Sequence, residues 1–341
     1  YIFSFHRFTG LNNKPGLPPQ ANRGVLRPKE KDMQDDLILF DWLSFTSKHH
    51  SPDSIINLLG FDYVVFAPIK GARGYTDRLY FEGVNVFFGG RDEIWVEMSG
   101  HGCRAFETHG SGNWHELLEE LVSTKDYHLT RLDVAFDDRT GLIDLNKLFR
   151  ETDDQNYVSK FKAWDIRKSN KGITIYHGSE QSDIRFRIYD KARERKREEE
   201  GHWVRFEMQL RDDKATMFIN KMILQSVGEV FAGVVNNYLR YVTKPPNSND
   251  SRKRRWPTAD YWFNLVGAAA RQSLFVAPGT EYNLSKLEDY VVNQAGAAAA
   301  TYINIMGLDD FLDRTGDKLG KSVNPNYQDL LHKYRDVSSV F

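Results

Sequence analysis

The stretch "TRLDVAFDD", Thr130–Asp138, decides how the chain is read. Residues two apart on a strand share a face, so Arg131, Asp133, Ala135 and Asp137 point one way and Leu132, Val134 and Phe136 the other. Only the second set can be core. The pattern predicts a strand of an antiparallel sheet with one buried face and one open face. Two more stretches carry the same alternation. In "WVRFEMQLR", Trp203–Arg211, the residues Arg205, Glu207 and Gln209 oppose Phe206, Met208 and Leu210. In "RFRIYDK", Arg185–Lys191, the residues Arg185, Arg187, Tyr189 and Lys191 oppose Phe186 and Ile188.

Working outward, "LILFDWLSFTS", Leu37–Ser47, reads as a buried strand, and "SPDSIINLLG" as a short helix capped by Ser51, opened by Pro52 and ended at Gly60. "RLYFEGVNVFFGG" and "IWVEMSGHGCRAFE" read as strands of a meander split by glycine turns. Trp114, Leu117, Leu118, Leu121 and Val122 fall at helical spacing and make an apolar face. From residue 130 the order repeats, as strand, short helix and antiparallel strands, which suggests an internal duplication although the halves share few identities. The expected fold class is therefore α+β: a largely antiparallel sheet with short helices packed on one face, followed by a mostly helical C-terminal module. The expected organisation is an extended arm over residues 1–36, an α+β domain with trailing helices over 37–243, a basic linker over 244–255 and a helical module over 256–341.

The 341 residues are 40% hydrophobic and 13% aromatic, ample for a buried core. No run of apolar residues is long enough for a membrane span, and residues 1–20 lack a signal-peptide pattern, so the expectation is a cytoplasmic protein without membrane insertion. The single cysteine, Cys103, excludes an intrachain disulfide and a multi-cysteine zinc site. A formal charge of −1 argues against a nonspecific polycation, yet two local runs are strongly basic. "KARERKR", Lys191–Arg197, includes Arg193, Arg195, Lys196 and Arg197; "RKRR" comprises Arg252, Lys253, Arg254 and Arg255. Such runs are either solvated faces or a nucleic-acid surface. The aromatics after the second run, Trp256, Tyr261, Trp262 and Phe263, either stack on nucleic acid or pack inward.

If the three alternating strands are neighbours, one sheet face gathers a tyrosine, a lysine, arginines and three carboxylates. That inventory suits phosphodiester chemistry. A phenol with a pKa near 10 attacks poorly at pH 7 until a base, a metal or a nearby cation favours phenolate, while arginine and lysine hold phosphate and stabilise developing charge. Carboxylates can hold Mg2+ or Mn2+. The same alternation also serves simply to solvate an open sheet face.

"FDWLSFT", "MSGHGCRAFE", "TRLDVAFDD", "GSEQSDIRFRIYDK" and "WVRFEMQLR", in this order over about residues 37–245, resemble the replication initiation factor family. That family includes rolling-circle plasmid replication initiators and MobT-type relaxases of integrative conjugative elements. The resemblance implies that Tyr189 is a nucleophile that nicks one strand at an origin, forming a 5′-phosphotyrosyl link and a free 3′-OH. It implies a metal-dependent nicking and strand-transferring endonuclease, with Mg2+ or Mn2+ held by Asp133, Asp137 and Glu207, and with Arg187, Lys191 and Arg205 on the phosphate. The implied partners are origin DNA, double- and single-stranded, a host or element-encoded helicase and, by analogy, a second copy in a homodimer. The competing reading is a noncatalytic, sequence-specific DNA-binding regulator of a mobile element. His49 and His50 are adjacent and face opposite ways on a strand; His101 and Cys103 are either half of a soft-metal site, for which no matching second pair exists, or part of a glycine-rich turn or bulge, and His177 reads as a strand-end histidine near the site or as an acid, base or ligand.

Overall fold

A computed structural model describes residues 36–170, 172–247, 249–276 and 296–319. Residues 1–35 of the expected arm, and residues 277–295 and 320–341 of the expected C-terminal module, lie outside the described residues.

The first half runs β1 (Leu37–Ser47), α1 (Pro52–Leu58), β2 (Ala67–Lys70), β3 (Asp77–Phe81), β4 (Val84–Phe88), β5 (Ile94–Ser99), α2 (Gly100–His109) and α3 (Trp114–Ser123). The second runs β6 (Tyr127–Asp138), α4 (Leu145–Asp153), β7 (Tyr157–Ser159), β8 (Trp164–Ser169), β9 (Gly172–His177), β10 (Ile184–Asp190), α5 (Lys191–Glu194), β11 (Val204–Arg211) and α6 (Asp212–Met222). There follow α7 (Val227–Tyr238), β12 (Leu239–Tyr241), α8 (Asp260–Ala270), α9 (Gly296–Met306) and α10 (Leu308–Leu319).

Ten strands form one antiparallel sheet in the order β2-β3-β4-β5-β1-β6-β11-β10-β9-β8, and β7 pairs with β12 separately. The duplication suggested by the sequence is written in this topology. Each half opens with a strand and a helix, then lays down four sheet strands of which the last returns to pair with the first. The two opening strands, β1 and β6, pair at the centre. Registers correspond as well: Glu97 lies opposite Ser44 on one side and Asn85 on the other, as Glu207 lies opposite Ala135 and Arg187. "VEM", Val96–Met98, and "FEM", Phe206–Met208, are thus equivalent.

One face of the sheet is covered. Phe40, Phe45, Phe136, Phe186 and Phe206 are buried there with Ile55, Phe106, Trp114, Leu118, Phe218 and Phe231 from the helices, while the alternate residues form a second, polar face that none of these helices covers, called the uncovered face below. α8 belongs to this core: Trp262 is fully buried against Phe206 and Tyr241, at ring separations of 5.8 and 4.8 Å. Leu274 bridges to Ile38. The module expected to begin at residue 256 therefore starts inside the packed unit, because the linker only carries the chain around the edge of the core. Trp262 and Trp256 pack inward, as one of the two readings held, while Phe263 faces solvent.

"GHGCR" is a correction. The strand ends at Ser99, whose side chain caps α2 by accepting from Gly102 N, so the glycines open a helix instead of a turn or bulge. Their size is required by close approach: a Cβ on Gly100 would fall 2.4 Å from Asp41 Oδ1, and one on Gly102 would fall 2.4 Å from the Gly83 carbonyl. Cys103 is buried in α2, as a structural residue should be.

Asp138, the last residue of β6, is fully buried and organises the following loop. Its carboxylate accepts from the backbone amides of Thr140, Gly141, Leu142 and Ile143, and from His202 Nε2 at 2.9 Å. Asp138→Ala should destabilise the fold by on the order of 3 kcal/mol, since several buried donors lose a charged acceptor together. Urea denaturation measures this; a change under about 1 kcal/mol would contradict the account. Burial works against the Asp138 carboxylate, but His202 and the amides hold its pKa below the ordinary value. The hydrogen bond to Asp138 raises His202. A depressed acid stabilises above its unfolded pKa and loses this as pH falls; a raised histidine stabilises below its unfolded pKa and loses this as pH rises. The pair should therefore contribute most between about pH 4 and 6.5. His202→Gln should lower the melting temperature more at pH 5.5 than at pH 8.5, and an equal loss at both would refute the linkage.

Candidate active site

Asp133, Tyr189 and Glu207 reach the uncovered face from β6, β10 and β11, which lie in the order β6-β11-β10. Tyr189 sits opposite Arg205, and Arg205 opposite Asp137; one step along, Arg187 faces Glu207 and Glu207 faces Ala135. The small Ala135 leaves an opening between the flanking acids. A pocket of about 430 Å3 is centred on this patch, lined by Asp41, Trp42, Arg131, Asp133, Arg187, Tyr189, Lys191 and Glu207, among others.

The Tyr189 hydroxyl lies between an acid and a base. It donates to Glu207 Oε2 at 3.2 Å and accepts from Lys191 Nζ at 3.1 Å. The Arg187 guanidinium covers the Tyr189 ring at 3.8 Å. The chain leaves β10 at Lys191 and enters α5, where Asp190 caps by accepting from Arg193 N. Lys191 thus meets Tyr189 across the first turn of a helix, and it pairs with Glu194 at 2.5 Å. Burial, then the Glu207 charge, raises the Tyr189 pKa, so the resting phenol keeps its proton. Burial and Arg205 lower Lys191, and burial with Asp41 raises Glu207. Burial pushes Asp133 up to about 7, against the bidentate grip of Arg131 at 2.8 and 2.5 Å.

The six other expected contacts sort unevenly. Arg205 is 3% exposed and is not a phosphate contact as it stands: it grips Asp137 bidentately at 2.6 and 2.8 Å and places Nη1 2.7 Å from Asp41 Oδ1, an ion pair off hydrogen-bond alignment. Asp137 is spent on this pair and does not line the pocket, so the expected trio of Asp133, Asp137 and Glu207 is not assembled. The acid that takes its place is Asp41, which was not singled out from the sequence. Burial would raise Asp41, but Arg205, Lys191 and Arg104 hold it below the ordinary range. Asp41 reaches the site because β1 carries a bulge between Phe40 and Trp42, which puts both Asp41 and Trp42 on the uncovered face. The signal was present: Ile38 and Phe40 alternate with Leu43 and Phe45 only if one residue is skipped.

The basic runs are largely engaged by nearby acids. Arg193 pairs with Asp190, Arg195 with Glu194 and Arg197 with Glu200, while Lys196 is exposed in a left-handed conformation. Arg195 alone of these lines the pocket. Arg252 and Arg255 pair with Asp250, Lys253 donates to the Gln155 carbonyl, and the Arg254 carbonyl accepts from Arg240. None of Arg252–Arg255 lines the pocket. His177 faces the core opposite Phe186, bonded to Tyr241, and burial pushes its pKa down to about 3, so it is not at the site.

Four carboxylates line the pocket, Asp41, Asp133, Glu194 and Glu207, and they are hard oxygen donors of the type Mg2+ and Mn2+ take. Burial raises Asp133 and Glu207 against the arginines beside them, and a bound cation would lower both. The donor chemistry fits, although among the described residues no three acidic, histidine or cysteine side chains stand grouped for a metal.

The family model described as replication initiation factor matches residues 127–315, and a rolling circle replication initiation protein N-terminal domain matches residues 37–120. The chain belongs to the replication initiation factor family. Its relatives include the protein named "Putative DNA relaxase NicK" from Bacillus subtilis (strain 168), 26% identical over 324 residues, or 87% of this chain and 90% of that one. The solved structure of a rolling circle replication initiator protein from Geobacillus stearothermophilus is 32% identical with a TM-score of 0.66, covering 72% of this chain and all of that chain. In this member of the family, both halves of the sheet fall within the matched regions, and Tyr189 lies in the second. No helix among the described residues is long and apolar enough to cross a membrane.

Proposed function

We propose that this chain is a rolling-circle initiator or relaxase that nicks one DNA strand through Tyr189. The observation that carries the reading is the Tyr189 hydroxyl held between Lys191 and Glu207 at the floor of an arginine-rimmed pocket. Glu207 takes the phenolic proton as the oxygen attacks phosphorus, a general-base role its raised pKa suits. The new bond joins the tyrosyl oxygen to the 5′ phosphate; the bond to the 3′ oxygen breaks, and that oxygen takes a proton from solvent to leave as a 3′-OH. Lys191 and Arg187 offset the charge that develops on tyrosyl and phosphoryl oxygens. Mg2+ or Mn2+ would supply Lewis-acid charge at the phosphate; to be held by Glu207, Asp133 and Asp41 it would have to draw Asp133 off Arg131 and Asp41 off Arg205, since these acids do not stand grouped for a metal as they are. Asp137 and Arg205 position the site by fixing Asp41 and the strand beside Tyr189.

Replication initiation and conjugative relaxation share this step. The substrate is origin DNA, and the reading entails a helicase partner, since a nick alone does not unwind a duplex; a homodimer follows from the family analogy, and a cytoplasmic location suits a protein that acts on DNA. The test is to incubate the protein with 5′-labelled and, separately, 3′-labelled origin strands, with Mg2+ or Mn2+ and with EDTA. The expected result is protein carrying the fragment 3′ of the nick on a denaturing gel, only with metal. Specific duplex binding with no adduct on either strand would instead establish the noncatalytic regulator.

A further inference from the structure

The internal duplication gives the Tyr189 pocket a counterpart in the first half. Register equates Glu97 with Glu207, Trp95 with Arg205 and Phe87 with Tyr189, because Phe87 faces Trp95 across β4 and β5 as Tyr189 faces Arg205 across β10 and β11. Thr46, opposite Trp95, stands where Asp137 stands. The chemistry is gone from this copy: the nucleophile's place holds a phenylalanine, and the buried ion pair is replaced by tryptophan and threonine. Aromatic surface remains in its place.

A trough of about 380 Å3 occupies this second position, and Trp42 and Arg131 line both it and the Tyr189 pocket. Trp95 stacks on Phe87 at 4.8 Å and 19°, and on Tyr75 at 6.3 Å and 25°. Arginines cap this stack. Arg73 lies over Trp95 at 4.7 Å and Arg91 over Tyr75 at 5.0 Å. Arg73 is held there by an ion pair with Glu97 at 3.3 Å and sits on a left-handed backbone, φ 56°, an unfavourable conformation for a residue with a side chain. The β2–β3 and β4–β5 loops lock together through Thr76 N to Gly89 O and Arg91 Nη2 to Arg73 O, and so present both guanidinium groups. Planar aromatics beside arginines are the combination that stacks unpaired bases and tracks their phosphates.

We infer that this degenerate copy of the active site is a binding site for unpaired nucleotides, holding the strand that Tyr189 cuts several nucleotides from the nick. The inference rests on the nicking function proposed above. Strand rise and strand spacing put Glu97 about 20 Å from Glu207 across the uncovered face, so one single strand lying over Trp42 and Arg131 spans both. A base stacks on Trp95, the partly exposed ring of the stack, by displacing Arg73 from over it; the buried Tyr75 backs Trp95, and Arg73 and Arg91 meet phosphates. Duplex DNA cannot use the platform, since its bases are already stacked.

The test is fluorescence anisotropy of a labelled single-stranded origin oligonucleotide long enough to cross both pockets, in EDTA, with the full chain. Trp95→Leu should raise Kd about tenfold, the loss of one stacked base. Arg73→Gly should weaken binding severalfold in protein that a thermal melt shows to be folded, the glycine relieving the left-handed backbone while the ion pair to Glu97 is lost. Replacing the bases away from the nick by abasic sites should weaken the wild type and erase the Trp95→Leu effect. Variants that bind the intact oligonucleotide as tightly as wild type would overturn the inference, as would a wild type indifferent to the abasic sites. Adduct formation by the wild type on a short strand trimmed around the nick reports separately on the Tyr189 chemistry, so either reading can fail while the other stands.

Discussion

Tyr189→Phe should abolish strand cleavage and the covalent adduct, lowering the single-turnover rate by on the order of 10^4 or more, while single-strand binding changes little. The substitution removes one oxygen and with it the only hydroxyl held between Lys191 and Glu207. The ring, its Arg187 cover and its buried position stay in place. Removing a hydroxyl that accepts from one buried group and donates to another leaves Lys191 and Glu207 to meet each other or water, so the fold should survive. Cleavage and adduct that persist in the variant would assign the nucleophile elsewhere.

Arg205→Leu should destabilise the folded chain by about 3–5 kcal/mol, because it strands two carboxylates that the guanidinium holds in a site closed to water. Asp137 loses a bidentate partner and Asp41 loses its nearest cation, at 2.7 Å. The double variant Arg205→Leu, Asp137→Leu should be less destabilised than the sum of the two singles, since the second change removes a charge that the first left unpaired. Additive losses in denaturant melts, or an Arg205→Leu loss below about 1 kcal/mol, would show that the pair is solvated. The distinction matters for the site, because Arg205 then acts as a positioning residue whose loss misplaces Asp41.

Much of the site was legible because strand alternation is a local rule. It correctly placed Arg187, Tyr189, Glu207 and Asp133 on one face, away from Phe186, Ile188, Phe206 and Val134. Lys191 joined them by a different route, through a helix turn instead of continued strand. Asp41 was missed because a bulge breaks the alternation, although the skipped step between Phe40 and Leu43 records it. The glycines at 100 and 102 were read as a turn, since nothing in sequence says that Asp41 and Gly83 will crowd a helix start.

The amino-acid sequence by itself determined the strand faces, the duplicated order of elements and the gathering of phenol, amine and carboxylate on one side, because these depend on spacing along the chain. It left undecided which acids are spent on arginines. Asp137 and Asp133 share a face and look equivalent, and both end on arginines, but the pairing of β6 with β11 sets Asp137 against the buried Arg205, while Asp133 meets Arg131 of its own strand at the pocket. The basic runs differ from these, since the acids they pair with, Asp190, Glu194, Glu200 and Asp250, stand only a few residues away along the chain. Coulomb interactions fall off with distance in space, not in sequence, so the partners of Asp41, Asp137 and Arg205, and with them their roles, were decided by the tertiary structure.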